Sequence, residues 1–364
     1  MNATLLLLQA ERVSREFSCC REIELIQPMG QGLINDSFQV TTPRGLWVLQ
    51  RINHRVFPEP EAIMANLDVL TDHFRRQRVQ ALIWPQLART AADTTWMRDE
   101  EGAVWRMLSF IPGRPLRRIA NEPQAREVGR LVGTFHRLLA TLGPDKLRLS
   151  LPGFHQTPAY LDQFDQARQQ WADPGRAELV EPLAFVESRR DQVGVLEEAR
   201  TQERIPPRVV HGDPKLDNLL FDQEGQRALA LIDLDTVQPG LVLHDIADCL
   251  RSCCNPRGEG APQDTVSFDL AICRPLLTAY AHQTRAFLTE EEIQLLYDAV
   301  RLIPFELGLR FLTDHLRGDR WFRVDAPGQN LARAGVQFRL VADIETKEAE
   351  IRAIIAHAFL KLAP

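Results

Sequence analysis

Asp213 and Asn218, in the run His211-Gly212-Asp213-Pro214-Lys215-Leu216-Asp217-Asn218, and Asp233, after Leu231-Ile232, are three oxygen-bearing side chains at close range. Phosphoryl transfer needs a carboxylate to hold and deprotonate an acceptor hydroxyl, an amide oxygen to help fix magnesium, and a second carboxylate on the metal. Asp213, Asn218 and Asp233 offer those groups in that order. Oxygen donors suit a hard cation that keeps part of its water, and a positioned carboxylate base contributes about 10²–10⁴-fold. A lone His-Gly-Asp is ordinarily a turn, and a lone Asp after an apolar run is ordinarily a cap. Here the spacing, the apolar strand and the second Asp coincide. Asp217 reads as a loop-shaping residue, and Asp235 as a metal neighbour or a turn former.

Positioning these groups falls to short buried strands over 208–210 and 228–232, with a turn at Asp222-Gln223-Glu224-Gly225. Loop, strand, turn and returning strand bring Asn218 and Asp233 to one spot. Upstream, the pattern predicts strands over 23–28, 37–42 and 46–52. Gly30 and Gly32 fall between the first two, where bare backbone amides can approach phosphates; a plain hairpin turn has the same spelling. In 46–52, Val48 and Gln50 share one face and Leu49 and Arg51 the other. A helix follows over 61–76, with Ile63, Leu67, Leu70 and Phe74 on one face, then a turn at 99–102 and a strand over 104–111. Further helices are expected over 123–142, across 160–204 as two segments broken near 173–175, and over 241–252, 267–287, 290–316 and 331–360.

With these motifs, the chain resembles the aminoglycoside phosphotransferase and choline kinase superfamily, and within it the bacterial N-acetylhexosamine 1-kinases. The likeness runs through Gly30-Gln31-Gly32-Leu33-Ile34-Asn35, Val48-Leu49-Gln50-Arg51-Ile52-Asn53, the catalytic loop, Ile232-Asp233-Leu234-Asp235-Thr236, Gly308-Leu309-Arg310-Phe311-Leu312, Gly318-Asp319 and Asn330-Leu331. It implies an α+β, bilobal, protein-kinase-like fold: a small antiparallel-sheet N-lobe over 1–111 and a larger, mainly helical C-lobe over 112–364. It also implies ATP and Mg²⁺ as cofactors, with Asp213 as catalytic base and Asn218 and Asp233 as metal ligands. Lys215 would stand near the transferred phosphate, or be a solvated lysine. Kinases set a small residue under adenine on the third strand and a lysine two positions on; Val48 and Gln50 occupy that register. Ser109, Phe110 and Ile111 would line the adenine pocket through their main chain. The acceptor, a sugar hydroxyl and first the anomeric one of GlcNAc or GalNAc, would meet Asp213, Arg310 and Trp321. Arg310 could instead pair with Asp314 one turn on, and Trp321 could be core. Two departures stand out: Leu33 where those relatives carry His, and His244-Asp245-Ile246-Ala247-Asp248 where they favour an aromatic and a glycine.

The bulk composition agrees with a globular enzyme. The 364 residues carry 45% hydrophobic and 25% charged side chains, enough for a sizeable core. A net charge of -6 speaks against non-specific nucleic-acid binding. No apolar run approaches the roughly 20 residues that span a bilayer, and the start lacks a signal peptide's basic residues; a cytoplasmic location is the expectation. None of the six cysteines forms a Cys-x-x-Cys pair. Amino-alcohol or aminoglycoside kinases would share these motifs. A silent nucleotide-binding regulator would not need all three site residues, and a protein kinase would carry an Ala-Pro-Glu segment after Asp233.

Overall fold

The computed structural model describes residues 3–29, 34–171 and 176–360. Gly30, Gly32 and Leu33 lie outside them. An N-terminal helix α1 (Ala3–Ser14) precedes strands β1 (Leu25–Pro28), β2 (Asp36–Thr42) and β3 (Gly45–Arg51), helix α2 (Pro60–Arg76), and strands β4 (Trp96–Arg98) and β5 (Val104–Ser109). These strands form one antiparallel sheet in the order β1-β2-β3-β5-β4. Alternation gives it two faces. Phe38, Val40, Leu49, Trp105 and Met107 are buried against Val13 and Phe17 near α1. Val48, Gln50 and Arg106 occupy the intervening positions, with Gln50 opposite Arg106.

The rest is mainly helical: α3 (Glu122–Leu139), α4 (Thr157–Gln170), α5 (Ala177–Glu187), α6 (Val195–Thr201), α7 (Val242–Cys253), α8 (Leu270–Thr284), α9 (Glu290–Gln294), α10 (Leu296–Leu316), α11 (Gln329–Thr346) and α12 (Glu348–Phe359). The α+β, protein-kinase-like architecture expected from the sequence is the one found. Helix boundaries differ where apolar periodicity runs through a break. The expected helix 290–316 is divided at Leu295, and 331–360 at Lys347. The stretch 160–204 holds three helices rather than two.

Packing explains why α3 is helical and where it points. Asn121 caps it through a hydrogen bond from the Gln124 amide (3.0 Å), with Pro123 in the first turn. Its buried face includes Val128, Leu131, Val132 and Phe135. Gly129 and Gly133 lie against α8: a Cβ on the first would run into the Leu276 carbonyl, and one on the second would sit 3.0 Å from the Tyr280 carbonyl oxygen. This close approach carries His136 to the back of the catalytic loop. On α2, the buried Asn66 donates to the carbonyls of Arg148 (2.8 Å) and Val237 (2.9 Å) and accepts from the Arg148 amide (2.8 Å). The small-lobe helix is thereby stitched to the segment that follows Asp233.

Candidate active site

Short strands hold the two functional loops. β7 (Arg208–Val210) leads into the loop 211–218, and β8 (Leu219–Phe221) leads out. β9 (Ala228–Leu231) pairs with β8, Leu219 opposite Leu231, and delivers the chain to Asp233; β10 (Gln238–Gly240) then returns to pair with β7. β8 also pairs with the two-residue β6 (Arg114–Pro115). Both loops therefore leave their strands side by side, and the Ile232 amide donates to the Asn218 carbonyl at 2.9 Å.

Asp245 on α7 fixes the start of the loop 211–218. Its carboxylate accepts from the His211 amide (2.6 Å), the Gly212 amide (2.8 Å) and His136 Nε2 (2.8 Å), while His136 Nδ1 meets the Tyr280 hydroxyl (2.9 Å). Burial pushes the Asp245 carboxyl up, but the bond and charge of His136 and the loop amides outweigh it and hold the group below its usual range. Gly212 has φ +88, and a Cβ there would lie 2.8 Å from the Thr236 carbonyl oxygen. Only glycine fits. The Thr236 hydroxyl donates to the His211 carbonyl (2.8 Å), tying the two loops together.

Asp213 Oδ2 accepts from Lys215 Nζ (2.6 Å) and Asn218 Nδ2 (3.1 Å). Asn218 Nδ2 also reaches the Asp213 carbonyl (2.8 Å). Among the described residues, Asp213 Oδ1 and Asn218 Oδ1 accept no hydrogen bond. Burial raises the Asp213 carboxyl, Lys215 opposes, and Asp248 adds to the rise. Burial lowers the Lys215 ammonium, but Asp213 overcomes this and leaves it raised. Lys215 is therefore a fixed partner of the carboxylate, not a loose surface lysine. Asp233 adopts the left-handed conformation (φ 63), a strained choice for Asp of the kind found at functional sites. Burial, then Asp235 and Asp213, push its carboxyl to about 7. Asp213, Lys215, Asn218 and Asp233 are thus brought together.

Metal chemistry can be tested against these donors. Among the described residues, no group of three or more His, Cys, Asp and Glu is placed to hold an ion alone. An ion would need a shared site, and Asn218 Oδ1 and the Asp233 carboxylate are oxygen donors of the type that would suit a hard cation keeping other oxygen ligands.

On the sheet side, Gln50 does not present a free amide. Its Oε1 accepts from Arg106 Nε (3.0 Å) and Nη2 (2.7 Å), and its Nε2 donates to Ser37 (3.1 Å). Arg106 is paired with Asp235, which also accepts from Asn35 Nδ2 (2.6 Å). The cation on this face thus sits on the neighbouring strand, at the position opposite Gln50. Sequence inspection missed it, because Arg106 lies inside an apolar strand; its alternation with Trp105 and Met107 was the available signal. Asp235 lies in the single 3-10 turn Leu234–Thr236 next to Asp233, and there also pairs with Arg106. Val48 is half-buried beside Leu108. Two of the expected adenine-facing amides are spent: Ser109 donates to Gln86 and Phe110 to Leu46. Among the described residues, the Phe110 carbonyl and the Ile111 amide keep no hydrogen-bond partner.

On the acceptor side, Arg310 is not paired with Asp314. The Asp314 carboxylate instead gathers the amides of Arg320, Trp321 and Phe322, each at 2.9 Å, and Asn330 Nδ2 at 3.0 Å. The Arg310 guanidinium lies among the rings of Tyr160 (5.0 Å), Phe154 (5.4 Å) and Phe322 (5.6 Å). Trp321 is 69% exposed and so is not core. One turn before Arg310, Glu306 accepts from Thr157 (2.7 Å) and meets His155 Nδ1 (2.9 Å), whose Nε2 meets the Gly212 carbonyl (2.9 Å). His155 was absent from the sequence expectations. It links the acceptor-side helix α10 to the residue before Asp213.

Residues 25–282 match the model of a phosphotransferase enzyme family, the APH family. The chain belongs to it. Solved structures with the same fold include an aminoglycoside phosphotransferase from Alicyclobacillus acidocaldarius (18% identity, 95% of this chain and 96% of that one, TM-score 0.60). A microcompartment-associated aminopropanol kinase is also similar (15%, 95% and 98%, TM-score 0.64). So is a spectinomycin phosphotransferase in complex with ADP and spectinomycin (11%, 96% and 99%, TM-score 0.58). Membership makes this phosphotransferase a small-molecule kinase with an alcohol group as acceptor. Among the described residues, no helix is long and apolar enough to cross a membrane.

Proposed function

We propose that this phosphotransferase moves the γ-phosphate of ATP to a sugar hydroxyl, first the anomeric hydroxyl of an N-acetylhexosamine. The observation that carries the reading is the Lys215–Asp213–Asn218 set beside Asp233. Asp213 Oδ2 is occupied by Lys215 and Asn218, so Oδ1 is the oxygen left to take the acceptor's proton. A base raised by burial works closer to neutral pH than a solvated aspartate. Asn218 Oδ1 and Asp233 would hold Mg²⁺, which when bound neutralises charge on the nucleotide's phosphates. Adenine would meet the Phe110 carbonyl and Ile111 amide, over Val48; the placement of Gly30 and Gly32 before β2 supports a phosphate-cradling role.

Arg310 supports the sugar assignment. Its planar fork suits paired hydroxyl or acetamido oxygens, and the surrounding rings fix its direction without using up its donors. The exposed Trp321, on the loop that also carries Phe322, would stack on the sugar face. A second reading, an amino-alcohol or aminoglycoside acceptor, draws on Asp248. This buried carboxylate faces Arg251 through Oδ1 (2.8 Å), while Oδ2 has no partner among the described residues. An unpaired acidic oxygen would suit an ammonium group.

Purified protein with ATP, Mg²⁺ and a panel of N-acetylhexosamines, free hexosamines, choline and aminoglycosides, followed by phosphorus NMR, decides between them. A phosphorus–proton coupling to the anomeric proton is expected. Turnover of choline or an aminoglycoside alone would establish the second reading.

A further inference from the structure

We infer that Arg106 supplies the phosphate-binding charge on the sheet side of the nucleotide site, in place of a lysine on β3. The inference rests on the nucleotide reading above and assigns a residue to it. Three placements carry it. Cross-strand partners share a face, so Arg106 on β5 lies on the face of Val48 and Gln50, opposite the core residues Leu49, Trp105 and Met107. Its guanidinium is held in one orientation by the Gln50 oxygen and by Asp235, two residues beyond Asp233. Asn35, just after the glycine turn in sequence, binds the same Asp235 carboxylate and accepts from the Asn53 amide beyond β3 (3.0 Å). The sheet, Asn35 and the segment after Asp233 thus converge on this one cation.

The arginine is also incompletely satisfied. It is 1% exposed, yet Nη1 has no hydrogen-bond partner among the described residues. Buried donors are costly to leave unpaired, and such exceptions mark places where something else binds. A phosphate oxygen is the acceptor whose charge matches. Lys215 is committed to Asp213, and Arg106, although paired with Asp235, keeps Nη1 without a partner among the described residues on this face of the sheet. Gln50 then has a reason: a lysine there would set two cations side by side, whereas its amide oxygen accepts twice from Arg106 and steers it.

Calorimetric binding of Mg²⁺–ADP and of adenosine, without turnover, tests this. For Arg106→Gln, with folding checked by its thermal midpoint, ADP should bind at least tenfold more weakly and adenosine within twofold of the wild type. Equal weakening of both ligands, or unchanged ADP affinity, would make Arg106 a structural pin and overturn the inference. Should that variant not fold, Arg106→Lys, which keeps the charge against Asp235, is read by the same ratio. A shift of threefold or more against ADP is expected, and an unchanged ratio overturns the inference. Wild-type protein that fails to bind ADP would instead remove the nucleotide reading, and this inference with it.

Discussion

Lys215 and Asp213, two residues apart, form a 2.6 Å ion pair that leaves only one oxygen of the carboxylate open. On the proposed reading, the pair would fix which face of Asp213 meets an acceptor. It also keeps the lysine from serving as a mobile counter-charge.

Replacing Asp213 by Asn retains the shape and the contact with Asn218 while removing the proton acceptor. Turnover should fall about 10²–10⁴-fold, with Mg²⁺–ADP affinity held near the wild-type value. Full activity in the variant would exclude Asp213 as the base.

Asp245 is the central support behind the catalytic loop. Asp245→Ala strands two loop amides and the His136 imidazole in a buried setting. Loss of a buried, hydrogen-bonded charge of this kind costs about 3–5 kcal/mol. Denaturant unfolding should report a loss in that range; a cost below about 1 kcal/mol would show that the loop holds itself.

Arg310→Lys keeps the charge and gives up the planar fork. The acceptor KM should rise about tenfold or more, with the ATP KM unchanged, if the fork contacts paired oxygens worth about 1.4 kcal/mol or more. An equal KM for the acceptor would remove Arg310 from the pocket.

His155 gives a pH signature. Burial lowers this imidazole, but the Glu306 charge and bond and the Gly212 carbonyl outweigh it and raise it above the ordinary value. Glu306 is correspondingly held at about 2: burial pushes it up, and His155 more than compensates. The other groups facing the pair are His244 on α7, kept neutral by burial and lowered to about 3, with Asp248 and Arg310. A raised histidine stabilises the fold fully below its unfolded pKa of about 6.5 and progressively less as pH climbs through the folded value. The stability difference between wild type and His155→Gln should therefore shrink as pH rises from about 6.5. A flat difference would mean the imidazolium is not there.

Legibility in the sequence followed the range of the interactions. The spacing between Asp213 and Asn218 and the strand before Asp233 are local, so the sequence alone locates the loops. The β3 register was legible too, since alternation put Val48 and Gln50 on one face. What alternation could not reveal was the cross-strand neighbour: Arg106 faces Gln50 only once β3 and β5 are paired. The same limit hid His155, whose partners Gly212 and Glu306 are 57 and 151 residues away. Helix divisions at Leu295 and Lys347 escaped notice because the apolar rhythm continues across them.

The stitching of α2 through Asn66 bears on control. An outward swing of that helix would cut three hydrogen bonds of the buried Asn66 at once, and leave the Arg148 and Val237 carbonyls without them. Switching by displacement of this helix is therefore expensive here, and the catalytic arrangement stands assembled at rest.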